Sequence, residues 1–221
     1  MNSLFNIELS KEDNLLKRFE EIHDFIYGND GLSPQQTLEE IVKILFIKIF
    51  NETHSLKLFS ISTDEWAKLK SGHSAEQFSE RIKTLFEQTR KEYTDIFYRD
   101  EHIKLSQNAL GFTINKLQSI SLIDSSQDAK GLAFQKFLSN HEKIGNGQFF
   151  TPEPVIELCV SMMQPKPEET IIDPACGSGG FLLSALKYLQ TTWKDLSLLD
   201  IIEKNIHGLD INQSIARIAK M

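Results

Sequence analysis

The stretch that decides the fold is Ile171-Ile172-Asp173-Pro174-Ala175-Cys176-Gly177-Ser178-Gly179-Gly180-Phe181-Leu182. It joins a short apolar strand, a turn of small residues and the start of an apolar helix. The glycines of the turn, Gly177, Gly179 and Gly180, carry no Cβ and reach backbone angles that other residues avoid. A ligand can therefore lie against the main chain at the helix N-terminus, where amide groups and the helix dipole favour a carboxylate or a phosphate. In open α/β sheets such a turn lies at the carboxyl ends of the strands, where ligands bind.

Three kinds of ligand use a glycine turn of this type, and the surrounding residues discriminate among them. A mononucleotide P-loop requires a lysine directly after the glycines, and none stands there. A dinucleotide site requires a third glycine, whose place Leu182 occupies, and an acidic residue closer than Asp210. S-adenosylmethionine remains: Asp173 can face its ammonium group, and Asp210 can accept hydrogen bonds from both ribose hydroxyls. A turn that serves only a tight strand–helix connection stays open as the alternative.

A second motif, Gly147-Gln148-Phe149-Phe150-Thr151-Pro152, lies shortly before the glycine turn. Thr151 is expected to cap a helix whose first residue is Pro152. The amides at that N-terminus could bind the carboxylate of the cofactor, and Phe149 and Phe150 could enclose its methionine part. An ordinary helix start explains these residues equally well, and their position just before the glycine turn is what favours a shared site.

Residues 1–126 predict an α-helical N-terminal domain, and the polar run 124–128 marks its boundary with a second domain, 127–221. Ser33 is expected to cap a helix with Gln36 reaching back. Apolar residues cover most of the circumference of that helix, which predicts a central position. Ser74 is expected to cap a later helix. Nothing in this domain indicates catalysis, so a packing or docking module is expected.

The sequence of the second domain predicts a strand at 169–173, a helix at 181–193, a strand at 205–210 and a helix from 211 onward. This order is typical of the start of a parallel α/β sheet. The predicted fold class is therefore a helical domain followed by the beginning of an α/β Rossmann-like domain. The helix after Thr151 is expected to bury one apolar stripe, which consists of Val155, Ile156, Cys159, Met162 and Met163.

Composition excludes several classes of function. The chain has a net charge of −7 and a pI near 5.4, which argues against its coating nucleic acid by itself. Its two cysteines, Cys159 and Cys176, form neither a disulfide framework nor a metal-binding pair, and the six histidines are scattered. No metal site is therefore expected. The N-terminus lacks a signal peptide, and the most apolar run, 41–50, is too short to span a membrane. A reducing, cytoplasmic setting is expected.

The two motifs together resemble those of the modification subunits of type I restriction–modification systems, which are adenine-N6 DNA methyltransferases. The segment 128–138 also resembles the helix that introduces the methyltransferase domain in that family. The N-terminal part is similar more loosely, around residues 22–53. The resemblance implies S-adenosylmethionine as the cofactor and DNA as the substrate. It implies a specificity subunit, a second modification subunit and a restriction subunit as partners.

The resemblance also implies which residues bind the cofactor. In the first motif they are Gln148, Phe149, Phe150, Thr151, Pro152 and Glu153. In the turn they are Ser178, Gly179 and Gly180, with Asp173 and Gly177 in support, and the ribose-binding acid corresponds to Asp210. One departure is Glu153, where the family commonly has a basic residue.

The main departure is that the family's catalytic tetrapeptide, Asn-Pro-Pro followed by an aromatic residue, does not occur in the sequence. In the family this motif accepts hydrogen bonds from the adenine amino group and stacks on the flipped base. The sequence therefore holds the methyl-donor half of the site without catalytic residues. We expect the N-terminal portion of such an enzyme, inactive by itself. Two alternatives stay open: a methyltransferase for RNA, protein or a small molecule, and a shortened, non-catalytic docking subunit.

Overall fold

A computed structural model describes residues 2–123, residue 137, residues 151–193 and residues 197–220; for residues 2–14, 198, 199 and 214 it describes the backbone alone. The chain divides into two compact units, Met1–Gln148 and Phe149–Met221. The boundary that the sequence predicts at residues 126–127 lies outside the described residues.

The first unit is helical, as predicted. Its described helices are α1 Asn2–Asp30, α2 Pro34–Thr53, α3 Thr63–Lys70, α4 Glu76–Glu92 and α5 Gln107–Leu117. α2 is the central helix, because side chains around most of its circumference are buried, including Ile41, Ile44 and Ile47. The apolar side chains of α4 that recur at helical spacing, Phe78, Ile82 and Leu85, are also fully buried.

Charged side chains on α2 are buried as well, and each one is paired. Lys43 Nζ donates to Glu40 Oε1 over 2.6 Å, and Glu40 Oε2 accepts the backbone amide of Lys104 over 2.9 Å. One turn further on, Lys48 Nζ lies 2.7 Å from Glu52 Oε1. Burial of unpaired charge is costly, so these pairs leave no uncompensated charge in the core, and Glu40 in addition ties a later loop to α2.

Helix capping distinguishes two serines that look alike in the sequence. Ser33 Oγ accepts the amide of Gln36 over 3.2 Å, and Gln36 Oε1 accepts the amide of Ser33 over 2.9 Å, which confirms the predicted capping box. The prediction for Ser74 is wrong, because Ala75 is the N-cap and no side chain caps α4. Ser74 Oγ instead donates to Oε1 of Gln107 on α5, which also accepts the amide of Ala75.

The two serines give a matched test of this difference. Ser33→Ala is expected to lower the free energy of unfolding by about 1 kcal/mol, since a capping hydrogen bond is lost. Ser74→Ala removes a hydroxyl that caps nothing and is expected to have a smaller effect. Chemical denaturation of the wild type and both variants measures this, and equal losses for the two would contradict the assignment of the caps.

An ion pair joins α3 to α4. Arg81 Nη1 donates a hydrogen bond to Glu65 Oε1, and Arg81 Nη2 donates one to Glu65 Oε2, each over 3.1 Å. The hydrogen bond from Arg81 is the main reason why the pKa of Glu65 falls from 4.5 to about 2. Glu65 also completes a capping box with Ser62 at the start of α3, so one carboxylate serves both the helix end and the pair.

This pair predicts a pH dependence of stability. Because folding lowers the pKa of Glu65, its contribution is complete above pH 4.5 and is lost as the pH falls toward about 2. The free energy of unfolding of wild type minus that of Arg81→Met is therefore expected to shrink across this window. Urea denaturation at several pH values measures the difference; a difference that stays constant would contradict the role of the pair.

The second unit combines helices with a short parallel sheet. Its elements are α6 Glu153–Met163, β1 Ile171–Asp173, α7 Gly180–Thr192, α8 Leu198–Asn205, β2 Ile206–Gly208 and α9 Gln213–Ala219. β1 pairs in parallel with β2, with Ile171 opposite Ile206 and Asp173 opposite Gly208. Both predicted strands and the helix that follows each of them are present. An additional helix, α8, lies between the two strands and leads directly into β2; it was not predicted from the sequence.

The predicted buried stripe of α6 is wrong for four of its five residues. Ile156 is buried together with Val160 and packs near Ala185 of α7, whereas Met162 and Met163 are 75% and 79% exposed. The other two exposed members of the predicted stripe are Val155 and Cys159. α6 packs on α7 through the narrow face that carries Ile156 and Val160, one turn apart. Apolar character alone therefore overestimated its burial.

Within the part of the chain that the structure describes, none of the helices has the length and apolar character required to cross a membrane.

Candidate functional site

The glycine turn and the acidic residue after β2 lie side by side. The amide of Leu209 donates to the carbonyl of Asp173 over 2.9 Å, and the amide of Cys176 donates to the carbonyl of Leu209 over 2.8 Å. These bonds extend the pairing of β1 and β2 into the two loops that follow the strands. The loops therefore meet at the carboxyl ends of the strands, the edge at which open α/β sheets bind ligands.

Asp210 contacts the turn through its side chain. Its Oδ2 accepts the amide of Gly177 over 2.9 Å, and its Oδ1 accepts the amide of Asn212 over 2.8 Å. An ionised carboxylate offers about four acceptor positions, so these two amides leave positions open on both oxygens. The geometry is thus compatible with hydrogen bonds from two further hydroxyl groups.

The turn has the left-handed backbone that its sequence predicts. Gly177 has φ +54° and Gly179 has φ +86°, a region that disfavours residues with a Cβ. A Cβ on Gly179 would lie 3.3 Å from Cβ of Ala219 in α9, and a Cβ on Gly180 would lie 3.1 Å from Cδ1 of Ile156 in α6. The close approach of α9 to Gly179 and of α6 to Gly180 therefore explains two of the glycines, in addition to the space that a turn without side chains leaves for a ligand.

Two helix N-termini at this site lack a side-chain cap. α7 begins after Gly179, and no side chain caps it. α6 is also uncapped, and its N-cap is Pro152. Thr151 was predicted as that N-cap, and the prediction is wrong by one residue. Pro152 has an extended backbone with ψ 136°, and the proline of the first turn is Pro154, a position where a missing amide costs no hydrogen bond. The unpaired amides at such ends bind anionic groups.

These two N-termini are close to each other. Ile156, in the first turns of α6, lies against Gly180, the first residue of α7. Thr151, Pro152 and Glu153, at the start of α6, are exposed. The structure therefore brings the last residues of the first motif next to the glycine turn. The remaining predicted residues of that motif, Gln148, Phe149 and Phe150, lie outside the described residues.

The other predicted residues differ in accessibility. Asp173 is half-buried, and its Oδ1 accepts the amide of Ala175 over 3.1 Å. Ser178 is buried, so a contact of its hydroxyl with a ligand would require the turn to move. Cys176 is buried between the two acids; burial first, and then the charges of Asp173 and Asp210, raise the pKa of its thiol. A protonated thiol is a weak nucleophile, so Cys176 packs rather than reacts.

Sequence reasoning missed one residue that shapes the site, Gly208 in β2. A Cβ there would lie 2.9 Å from Sγ of Cys176 and 2.9 Å from Cδ1 of Leu182. The turn and α7 therefore close directly onto the backbone of β2. The available signal was the glycine itself, since a glycine inside a strand often marks the close approach of other atoms.

Among the residues that the structure describes, no three His, Cys, Asp or Glu side chains are grouped so that they could hold a metal ion. The groups that the structure brings together at the site are thus two carboxylates, two helix N-termini without a side-chain cap and a glycine turn.

Comparison with known proteins finds similarity to a family over the segment that contains this site. Residues 125–221 match the sequence profile of the N-6 DNA methylases. This segment contains both motifs and all the residues predicted to bind the cofactor.

Relatives extend the similarity to the N-terminal part. The methylase subunit of the type I restriction enzyme StySPI from Salmonella potsdam is 28% identical over 207 residues, which cover 86% of this chain and 39% of that subunit. The chain therefore spans about two fifths of the length of this relative.

Solved structures show the same fold. A modification subunit of a putative type I restriction enzyme from Vibrio vulnificus superposes with a TM-score of 0.57 and 19% identity, over 95% of this chain and 52% of that one. A chain from a study of complex assembly in a type I restriction–modification system gives a TM-score of 0.60 and 18% identity, over 94% and 46%. Residues 125–221 match the N-6 DNA methylases, and the chain is a relative of the methylase subunits of type I restriction enzymes.

Proposed function

We propose that this chain is the part of a site-specific DNA methyltransferase that binds S-adenosylmethionine, and that the whole protein methylates adenine at N6 within a type I restriction–modification system. The observation that carries the proposal is the contact of the glycine turn with Asp210 at the carboxyl ends of β1 and β2. It occurs inside a segment that matches the N-6 DNA methylases.

The described residues suit the three parts of S-adenosylmethionine. The uncapped ends of α6 and α7, at Thr151–Glu153 and Ser178–Gly180, offer amides to the carboxylate of its methionine part. Asp173 provides a negative charge for its ammonium group. Asp210 has acceptor positions left for two ribose hydroxyls. Gln148, Phe149 and Phe150 complete the proposed set from the first motif.

The charge of the site also disfavours nucleotide ligands. Two carboxylates, Asp173 and Asp210, border the turn, and a triphosphate or a pyrophosphate would bring more negative charge to this edge. The cofactor, when bound, supplies a methyl group on a positively charged sulfur, which the same carboxylates favour. The chain's own residues bind and orient this donor; direct transfer then depends on alignment with the acceptor nitrogen.

We propose further that residues 1–221 transfer no methyl group by themselves, since the Asn-Pro-Pro-aromatic tetrapeptide does not occur in them. The proposed domain boundary remains 126–127, and the pair β1–β2 is proposed as the start of a Rossmann-like sheet. The proposed partners are a specificity subunit, a second modification subunit and a restriction subunit, in the cytoplasm. The net charge of −7 favours DNA contact through such an assembly.

The test is methyl transfer by the product of the complete reading frame, assembled with its specificity subunit. DNA is incubated with S-adenosylmethionine labelled in the methyl group and then digested to nucleosides. The label is expected in N6-methyladenine. Label in cytosine, in RNA or in protein, each offered in parallel, would contradict the proposed substrate, and transfer by residues 1–221 alone would contradict their proposed inactivity.

A further inference from the structure

The glycine turn requires something to hold it. Gly177 and Gly179 have φ +54° and +86°, and glycine visits left-handed and right-handed conformations about equally. The glycines of the turn therefore do not by themselves fix its backbone conformation, and contacts with other residues must select the observed one. Two of these are backbone bonds: Gly179 donates to the carbonyl of Cys176, and Cys176 donates to the carbonyl of Leu209, each over 2.8 Å.

The third contact is the bond from the amide of Gly177 to Oδ2 of Asp210, which spans 33 residues of sequence. Asp210 is itself fixed, because its Oδ1 accepts the amide of Asn212, the residue just before α9. Since the acceptor is charged, this bond is stronger than one between neutral groups. It lies at the residue where the chain turns from β1 toward the start of α7.

We propose that Asp210 is a positioning residue for the glycine turn: in the free protein its carboxylate holds the amide of Gly177 and thereby orders the N-terminus of α7 before any ligand binds. This role is separate from the binding of ribose hydroxyls, and only its consequence for the cofactor rests on the proposed function. The two roles are compatible. Of about four acceptor positions on a carboxylate, the amides of Gly177 and Asn212 take two.

Hydrogen exchange of the free chain tests the positioning role directly. In Asp210→Ala the amide of Gly177 is expected to exchange at least about tenfold faster than in the wild type, because a hydrogen bond to a charged group is lost. Asp210→Asn keeps the size of the side chain but has one oxygen for two amides, so a smaller increase is expected. The matched control is Asp200→Ala, which removes a carboxylate from the exposed face of α8.

Unchanged exchange at Gly177 in both Asp210 variants would overturn the proposal. Slow exchange of the strand amides of Ile171 and Ile206 shows that each variant keeps the β1–β2 pair. If Asp210→Ala loses this protection, Asp210→Asn decides the outcome. If the amide of Gly177 exchanged as fast in Asp200→Ala as in Asp210→Ala, the proposal would also be overturned, because the faster exchange would then not depend on the contact with Asp210.

A second experiment separates positioning from ribose binding. The affinity of the complete protein is measured for S-adenosylmethionine and for its 2′,3′-dideoxy analogue, in the wild type and in Asp210→Ala. If Asp210 positions the turn, the variant is expected to bind the analogue at least about tenfold more weakly than the wild type does. Equal affinity of both proteins for the analogue would overturn the positioning role. Absence of binding of either compound by the wild type would count against the proposed function, and hydrogen exchange would still decide the role of Asp210.

Discussion

Glu40→Ala is expected to lower the free energy of unfolding of the helical unit by about 3–5 kcal/mol, the cost of removing one partner from a buried ion pair. Glu40 and Lys43 are 1% and 2% exposed, and Lys43 Nζ donates to Glu40 over 2.6 Å. The substitution weakens the compensation of the Lys43 charge and leaves the amide of Lys104 without its acceptor. Thermal or urea denaturation measures the loss.

Two further variants separate charge from packing at this pair. Glu40→Gln keeps the size and an acceptor oxygen, so its loss is expected to be smaller. Adding Lys43→Met to Glu40→Ala removes the buried charge, and the double variant is expected to regain part of the stability. A Glu40→Ala protein within about 1 kcal/mol of the wild type would show that the other partners of Lys43, Glu101 at 3.6 Å and the carbonyl of His102 at 3.1 Å, are sufficient.

Gly208→Ala is expected to have the largest effect in the second unit. The added methyl group would lie 2.9 Å from both Cys176 Sγ and Leu182 Cδ1, so either the turn or α7 must move. Overpacking of this kind costs about 1–3 kcal/mol. Protection of the β2 amides from hydrogen exchange is therefore expected to fall by about tenfold or more, and the affinity for S-adenosylmethionine is expected to fall with it.

The matched control for this substitution is Gly28→Ala. In the described part of the chain, no atom outside the local backbone of α1 lies within 4 Å of a Cβ at Gly28, and alanine is favoured over glycine in a helix such as α1. Unchanged or higher stability is expected. If Gly208→Ala kept full protection of β2, the close contact of the turn with the strand would not constrain the site.

Local patterns in the sequence predicted the structure well where the interactions are themselves local. The capping box joins Ser33 to Gln36, which is only three positions further along the chain, so a short stretch of sequence was enough to predict it. The alternation of strands and helices after residue 169 and the left-handed turn at Gly177 also follow from short stretches. The resemblance to methylase subunits rested on two such stretches, and the relatives confirm it.

The predictions that were wrong depend on distant residues. Ser74 does not cap α4 because Gln107, 33 positions away, binds its hydroxyl. Met162 and Met163 are exposed because α6 packs on α7 through one narrow face. The sequence also could not show that Gly179 and Gly180 face Ala219 and Ile156. In each case the type of the residue can be read from the sequence, whereas the distant residues that it contacts cannot.

The candidate site shows the same division. The sequence predicted Asp210 as a ligand for ribose from its position at the end of a predicted strand, and the structure places it next to the turn. The bond between Asp210 and Gly177 could not be predicted, because it depends on the register of β1 and β2 and on the path of both loops. The role of Asp210 in holding the turn therefore required the structure.

The most direct test of the central claim is calorimetric titration of the complete, assembled protein with S-adenosylmethionine, NAD and ATP in separate experiments. The account predicts saturable binding of S-adenosylmethionine, with NAD and ATP giving no binding at the glycine turn. Binding of NAD or ATP that Gly208→Ala abolishes, or no binding of S-adenosylmethionine at all, would contradict it.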